Sequence, residues 1–333
     1  MFALGNPSRL SQIHGFMHSL SISFIAALWA TSLFAQTVHL KPSDAGLRIE
    51  IDDQLFSEYI VKDTPRPFLY PVVGAAGESV TRNFPMRDDV AGEAKDHKHH
   101  RSLWFAHGSV NGMDFWTEEK AFGKQEHVSF GETKAEGNRG WFTAETKWMA
   151  PDGHCALTDS RTITVTALAD GERQLDFDIT LKASEGDVNM GDTKEGTMAL
   201  RLCPSLTLKG EGAQGHVFNS AGDKQKDVWG KHADWVSFYG PDPKGNPVAV
   251  TMFSHPSNLR APMTWHARDY GLFAANPFGL HDFEGLKKGD QDGKGDYKIA
   301  NGSSLRLRYR FLFTKGKSKP EAMDAKFKQY SAD

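Results

Sequence analysis

Leu305-Arg306-Leu307-Arg308-Tyr309-Arg310-Phe311 puts leucine, tyrosine and phenylalanine on one side of an extended chain and arginines on the other. That period-two pattern belongs to a strand with one buried face. The same alternation predicts strands at Gly46–Ile51, Trp141–Trp148, Ser160–Ala167, Gln174–Leu181, Val248–Phe253 and His266–Phe273. Turn-forming segments separate them: Pro151-Asp152-Gly153, Asp170-Gly171 and Pro241-Asp242-Pro243-Lys244-Gly245-Asn246. With 32 glycines and 15 prolines, few helices of ordinary length fit between these punctuation points. One does fit, from Pro320 to about Tyr330, where a first-turn proline precedes Glu321, Ala322, Met323, Ala325, Lys326 and Lys328. Many strands without βα alternation predict an all-β chain, a large two-sheet antiparallel sandwich with one C-terminal helix, as a single domain over residues 36–333.

The N-terminus reads differently. A polar start containing Arg9 leads into an apolar run, Leu20 to Ala35, which is shorter than the roughly 20 residues that span a bilayer comfortably. Residues 1–35 therefore read as a signal peptide, with Ser32 and Ala35 offering cleavage before Gln36 and Met17 offering a later start. An uncleaved anchor is the alternative. The expectation is a periplasmic or secreted protein with no membrane segment after cleavage.

The rest of the composition excludes several classes. A formal net charge of −3, from intermixed acidic and basic residues, lacks the basic footprint of a nucleic-acid binder. Cys155 and Cys203 do not make a disulfide scaffold, and both a pairing and two free thiols stay open. The segment Leu286–Tyr297 reads as a surface loop rich in lysine, glycine and aspartate.

Candidate chemistry concentrates in three places. In Asp96-His97-Lys98-His99-His100-Arg101, ahead of Ser102-Leu103-Trp104-Phe105, an extended chain would put His97 and His99 on one face and His100 on the other. Imidazoles there could act as acid and base, donate hydrogen bonds to a polyol, or bind a divalent metal. In Thr264-Trp265-His266-Ala267-Arg268-Asp269-Tyr270-Gly271, His266, Arg268 and Tyr270 would share a face that suits a ligand-facing wall, followed by Asn276 and His281. In Gly191-Asp192-Thr193-Lys194-Glu195-Gly196, Lys194 would keep Glu195 ionised as a general base. For each segment the bland alternative is a solvated loop or sheet face. Trp104 and its aromatic neighbours could stack against sugar rings or simply fill the core.

The runs Arg66-Pro67-Phe68-Leu69-Tyr70-Pro71, Pro85-Met86-Arg87, Asp96 to Gly108, Asn111-Gly112-Met113-Asp114-Phe115-Trp116, Asp192 to Gly196 and Trp265 to Gly279 resemble a family of secreted bacterial proteins labelled methane oxygenase PmoA. The membrane subunit of that name is a multi-span helical protein, whereas no apolar stretch of spanning length follows Ala35 here. The resemblance implies instead a sandwich similar to the galactose mutarotase and polysaccharide lyase folds.

Together these readings predict an exported carbohydrate-active enzyme doing acid/base chemistry (an epimerase, lyase or hydrolase) on a sugar or oligosaccharide. His99, His100, Glu195 and His266 are the expected catalytic residues, and Arg101, Trp104, Lys194, Arg268, Tyr270, Asn276 and His281 the expected substrate contacts. No cofactor is expected. A non-catalytic carbohydrate-binding protein is the second class, and a metal-dependent oxygenase with His97, His99 and His266 as ligands the third.

Overall fold

The computed structural model describes residues 36–119, 121–286 and 293–333, so the predicted signal peptide lies outside the described residues. Two large antiparallel sheets carry the fold. The nine-stranded sheet runs in the order Val38–Pro42, Gly46–Ile51, Gln54–Ile60, Phe68–Leu69, Leu103–His107, Gly196–Arg201, Leu272–Asn276, Met263–Ala267, His232–Ala233. The eight-stranded sheet runs His216–Asn219, Trp235–Pro241, Pro247–Ser254, Ser304–Lys315, Arg173–Lys182, Cys155–Ala167, Arg139–Met149, Lys124–Glu136. A short pair, Val188–Met190 with Tyr297–Ile299, stands apart and takes up the end of the predicted 286–297 loop.

Aromatic side chains from the two sheets meet between them. Phe105 packs on Trp148 and Phe177, and Phe238 on Phe273 at 4.9 Å between ring centroids. Burying rings of this size removes 150–250 Å² of surface each, a large share of the hydrophobic stabilisation of such a core. The strand that opens the sequence reading behaves as expected: Leu305, Leu307, Tyr309 and Phe311 are buried, and Arg306 lies opposite Thr180 on the outer face. The helix spans Pro320–Tyr330 and lays Met323 and Tyr330 over Phe218, Trp235, Phe253 and Leu312. A single helical turn, Leu280–Phe283, was not foreseen. Both cysteines are free thiols.

One predicted strand is wrong. His266–Phe273 is two strands, Met263–Ala267 and Leu272–Asn276, joined by a turn in which the Gly271 N–H donates to the Arg268 carbonyl. Gly271 has φ +90°, and a Cβ there would meet Thr207 at 2.7 Å, so the turn requires glycine. Asp269 and Tyr270 had read as strand because their polar–apolar order continues the alternation.

Candidate functional site

The outward face of the nine-stranded sheet supplies the floor. Register places Trp104 opposite Ala199, Ala199 opposite Ala274, and Ala274 opposite His266. This row crosses adjacent strands in the order large, small, small, large. Arg201, two residues beyond Ala199, projects from the same face. The two alanines leave room above the sheet between Trp104 and His266.

The 96–101 segment fills that room as a loop and not as the predicted strand. His97 has φ 41° and Ser102 φ 56°, and the His100 N–H donates back to the His97 carbonyl. This fold-back brings all three imidazoles to one side, correcting the expected split of His100 from His97 and His99. The His97 ring stacks on His100 at 4.8 Å and on Tyr270 at 5.2 Å, and His99 meets His100 edge-on at 4.5 Å. Beneath them His100 stacks on Trp104 at 5.4 Å, and Trp104 tilts against Trp116. Trp104 is 1 % exposed, so it seats the imidazole and is no open platform for a ligand.

Two arginines that sequence reasoning missed fix this loop. Arg201 donates to His100 Nδ1 at 2.9 Å and to Asp96 at 2.9 Å, and its guanidinium lies over the Tyr270 ring. Arg82 donates to the same Asp96 oxygen at 2.5 Å and to the His97 carbonyl. Burial pushes the Asp96 carboxyl up, but the His97 hydrogen bond, Arg201 and Arg82 more than offset it and hold Asp96 well below the usual carboxylate range. Arg201 stands between Leu200 and Leu202 in the sequence, where nothing local marks its partner. Arg101, expected to anchor substrate, instead grips Glu118 through two bonds of 2.7 Å and lies over Phe68, tying down the loop's far end.

The Glu195 segment is hung from neighbouring strands largely through main-chain atoms. Gly108 N–H donates to the Glu195 carbonyl, His107 Nε2–H to the Gly191 carbonyl, and Asn276 Nδ2 to the Thr193 carbonyl. The Lys194 N–H donates to Asp282, while Asp192 accepts from the His281 and Gly295 N–H groups. Asn276, expected to contact substrate, thus positions the loop, and the His281 backbone does the same.

His266 makes the last link: its Nδ1–H donates to the Lys194 carbonyl at 2.9 Å, which leaves Nε2 as the bare nitrogen. Burial, then the Arg268 charge, pushes the His266 imidazolium down to about 3. Burial and Arg66 push His99 down to about 4, and burial with His99 and Arg201 nearby pushes His100 well below its ordinary value. These imidazoles are neutral across the physiological range. Arg201 donating to Nδ1 leaves the His100 proton on Nε2.

Glu195 goes the other way. Burial raises its pKa, and Lys194 does not cancel that because it also faces Asp282, at 3.6 Å against 3.7 Å to Glu195. Lys194 favours the ionised carboxylate as expected, but burial outweighs it, so the carboxyl's pKa moves up while those of the imidazoles move down. Glu195 and His266 both lie within electrostatic reach of His97, so the three predicted segments do converge. Arg268 lies over Tyr270 at 5.6 Å and Trp229 at 6.0 Å, a grouping produced by the turn and not by a shared strand face. Among the described residues no three His, Cys, Asp or Glu side chains are arranged to hold a metal ion, so His97, His99 and His266 are not assembled as a ligand set.

Residues 46–328 match a family described as Family of unknown function (DUF6807). The chain belongs to that family. No curated protein matches it. Among solved structures, a putative kojibiose phosphorylase from human microbiome is similar at 10% identity and TM-score 0.32, over 62% of this chain and 23% of that one. A polysaccharide lyase is similar at 10% identity and TM-score 0.30, over 85% and 33%. A GalM/aldose epimerase homologue from C. elegans is similar at 8% identity and TM-score 0.32, over 85% and 100%. The chain thus spans about a quarter of the phosphorylase and a third of the lyase.

Proposed function

We propose that this chain is an exported carbohydrate-active enzyme in which Glu195 moves a proton at a sugar oxygen while neutral imidazoles hold the sugar. The observation that carries the reading is the opposed environment of the two residue types. Burial pushes Glu195 up and His99, His100 and His266 down, at one shared site. A carboxyl whose pKa is raised by burial keeps its proton to a higher pH than an ordinary one and is the better general acid, while imidazoles lowered by burial stay neutral and give or accept hydrogen bonds. His97 and His99, the more accessible imidazoles of the loop, are the ones placed to meet hydroxyl groups, which both give and take hydrogen bonds, while buried His100 and His266 hold the segments that present them. Lys194 and Arg268 stand at the rim as further donors. Epimerisation, elimination and hydrolysis of sugars all draw on such an arrangement.

The test is turnover of a glycan panel by Glu195→Gln. Turnover is expected to fall by roughly 10²–10⁴ with ligand affinity retained. In the parent enzyme kcat/KM should drop as pH rises through the raised Glu195 pKa, and that alkaline limb should vanish in the variant. Equal turnover in both proteins would refute the assignment. Glycan binding with no turnover in the parent would instead identify a binding protein.

A further inference from the structure

A cavity of about 940 Å³ lies away from the histidines. It opens between Tyr70, Asn83, Ala91, Pro204, Gln214 and Pro241. A second cavity of about 320 Å³ shares Gly92, Pro204 and Glu211 with it and extends to Arg201 and Tyr270. Tyr270 is the residue on which His97 stacks. A third, about 240 Å³, shares Asp269 with the second and carries Trp229 and Arg268. The three form a chain of concavities that passes the histidine loop.

Charge along this path decides what it can hold. The large cavity presents Glu78, Glu93, Glu211 and Asp242 against Arg87, which is paired with Asp89. The middle one balances Arg82, Arg201 and Lys209 with Asp96, Glu211 and Asp269, and both arginines already share Asp96. Glu78 is paired with Lys244, but a polyanion would still meet the like charge of Glu93, Glu211 and Asp242 in the large cavity, at a cost that grows in low dielectric. Hydroxyl-bearing rings would meet tyrosine and proline faces with carboxylate and amide acceptors between them, the mixture of apolar wall and few polar groups typical of ligand sites of roughly 300–1,000 Å³.

We propose that the Tyr70–Pro204–Gln214 cavity is a distal subsite for an uncharged oligosaccharide whose reacting unit lies at the histidine loop. This rests on the function proposed above and names its substrate class, a neutral sugar chain and not a monosaccharide or a polyuronate.

The experiment measures binding by calorimetry to the full chain, using cello-, xylo-, manno- and malto-oligosaccharides from disaccharide to hexasaccharide and oligogalacturonates of equal lengths. At least one neutral series should tighten by about tenfold or more with length, about 1.4 kcal/mol. Ala91→Trp, which narrows the cavity from an exposed loop position, should erase that gain while leaving disaccharide affinity unchanged. Glu211→Arg, also exposed, should narrow the gap between neutral chains and oligogalacturonates. Circular dichroism checks that both variants fold. A flat length series, tighter binding of oligogalacturonates, no binding by any chain, or a length gain untouched by both substitutions would overturn the subsite. Length-dependent binding with no Glu195-dependent turnover would leave the subsite standing and refute the chemistry. Glu195-dependent turnover with a flat series would do the reverse.

Discussion

The two sheets turn opposite kinds of polar face outward. On the eight-stranded sheet, Arg306 and Arg310 each meet a carboxylate on the neighbouring strand, Asp178 and Asp176, through bonds such as Arg310 Nε to Asp176 at 2.6 Å. Arg306, Arg308 and Arg310 each face an aspartate across the strand, and solvent reaches the Arg306 pair most. On the nine-stranded sheet, over Ala199 and Ala274, the polar groups are buried imidazoles, and the Arg201 guanidinium of that floor is shared between Asp96 and His100 while 2 % exposed. Cross-strand pairing leaves a face with little residual chemistry. Burial without full pairing leaves titratable groups displaced from their ordinary ranges, which is what a reactive surface requires.

Substitutions separate the two faces by size of effect. Arg201→Leu should cost about 1–3 kcal/mol in urea denaturation, because buried His100 loses its donor while Asp96 keeps Arg82. A loss under about 1 kcal/mol would mean the histidine loop is held by other contacts. Ala199→Leu puts bulk where the imidazoles sit and should cost about 1–3 kcal/mol while abolishing glycan turnover. Retained turnover would show that the row from Trp104 to His266 does not set the loop's seat.

Acid should also tell the faces apart. His266 and His99 have folded values of about 3 and about 4 against ordinary values of 6.5, so the unfolded chain binds more protons between those limits. Their contribution is complete above about pH 6.5 and is lost as pH falls toward 3–4. Melting temperature should therefore decline below about pH 6.5, and His266→Phe should flatten part of that decline. The smallest effect belongs to the paired face: Arg306→Ala, at a side chain 60% exposed, should change stability by no more than about 1 kcal/mol.

The fold was largely legible because alternation reports a face buried against a partner sheet, and the residues at 46–51, 141–148, 160–167, 174–181, 248–253 and 305–311 all lie in strands. Alternation could not see the turn at Arg268–Gly271, where glycine ends a strand without breaking the polar rhythm. At the site, the residue types were readable and their states were not. His99, His100, Glu195 and His266 could be picked out, but the direction in which each pKa is displaced depends on burial contributed by distant segments. Arg201 escaped notice because its partners lie about a hundred positions upstream, and Trp104 reads the same whether it stacks on a sugar or on His100.

The segment that carries Glu195 owes its shape to carbonyls and amides held by Gly108, His107, His266, Asn276 and Asp282. Such a scaffold is indifferent to the side chain displayed at position 195. The reactive group can therefore be exchanged like a tool in a fixed holder, and related chains with another residue there would keep the same geometry while performing different chemistry.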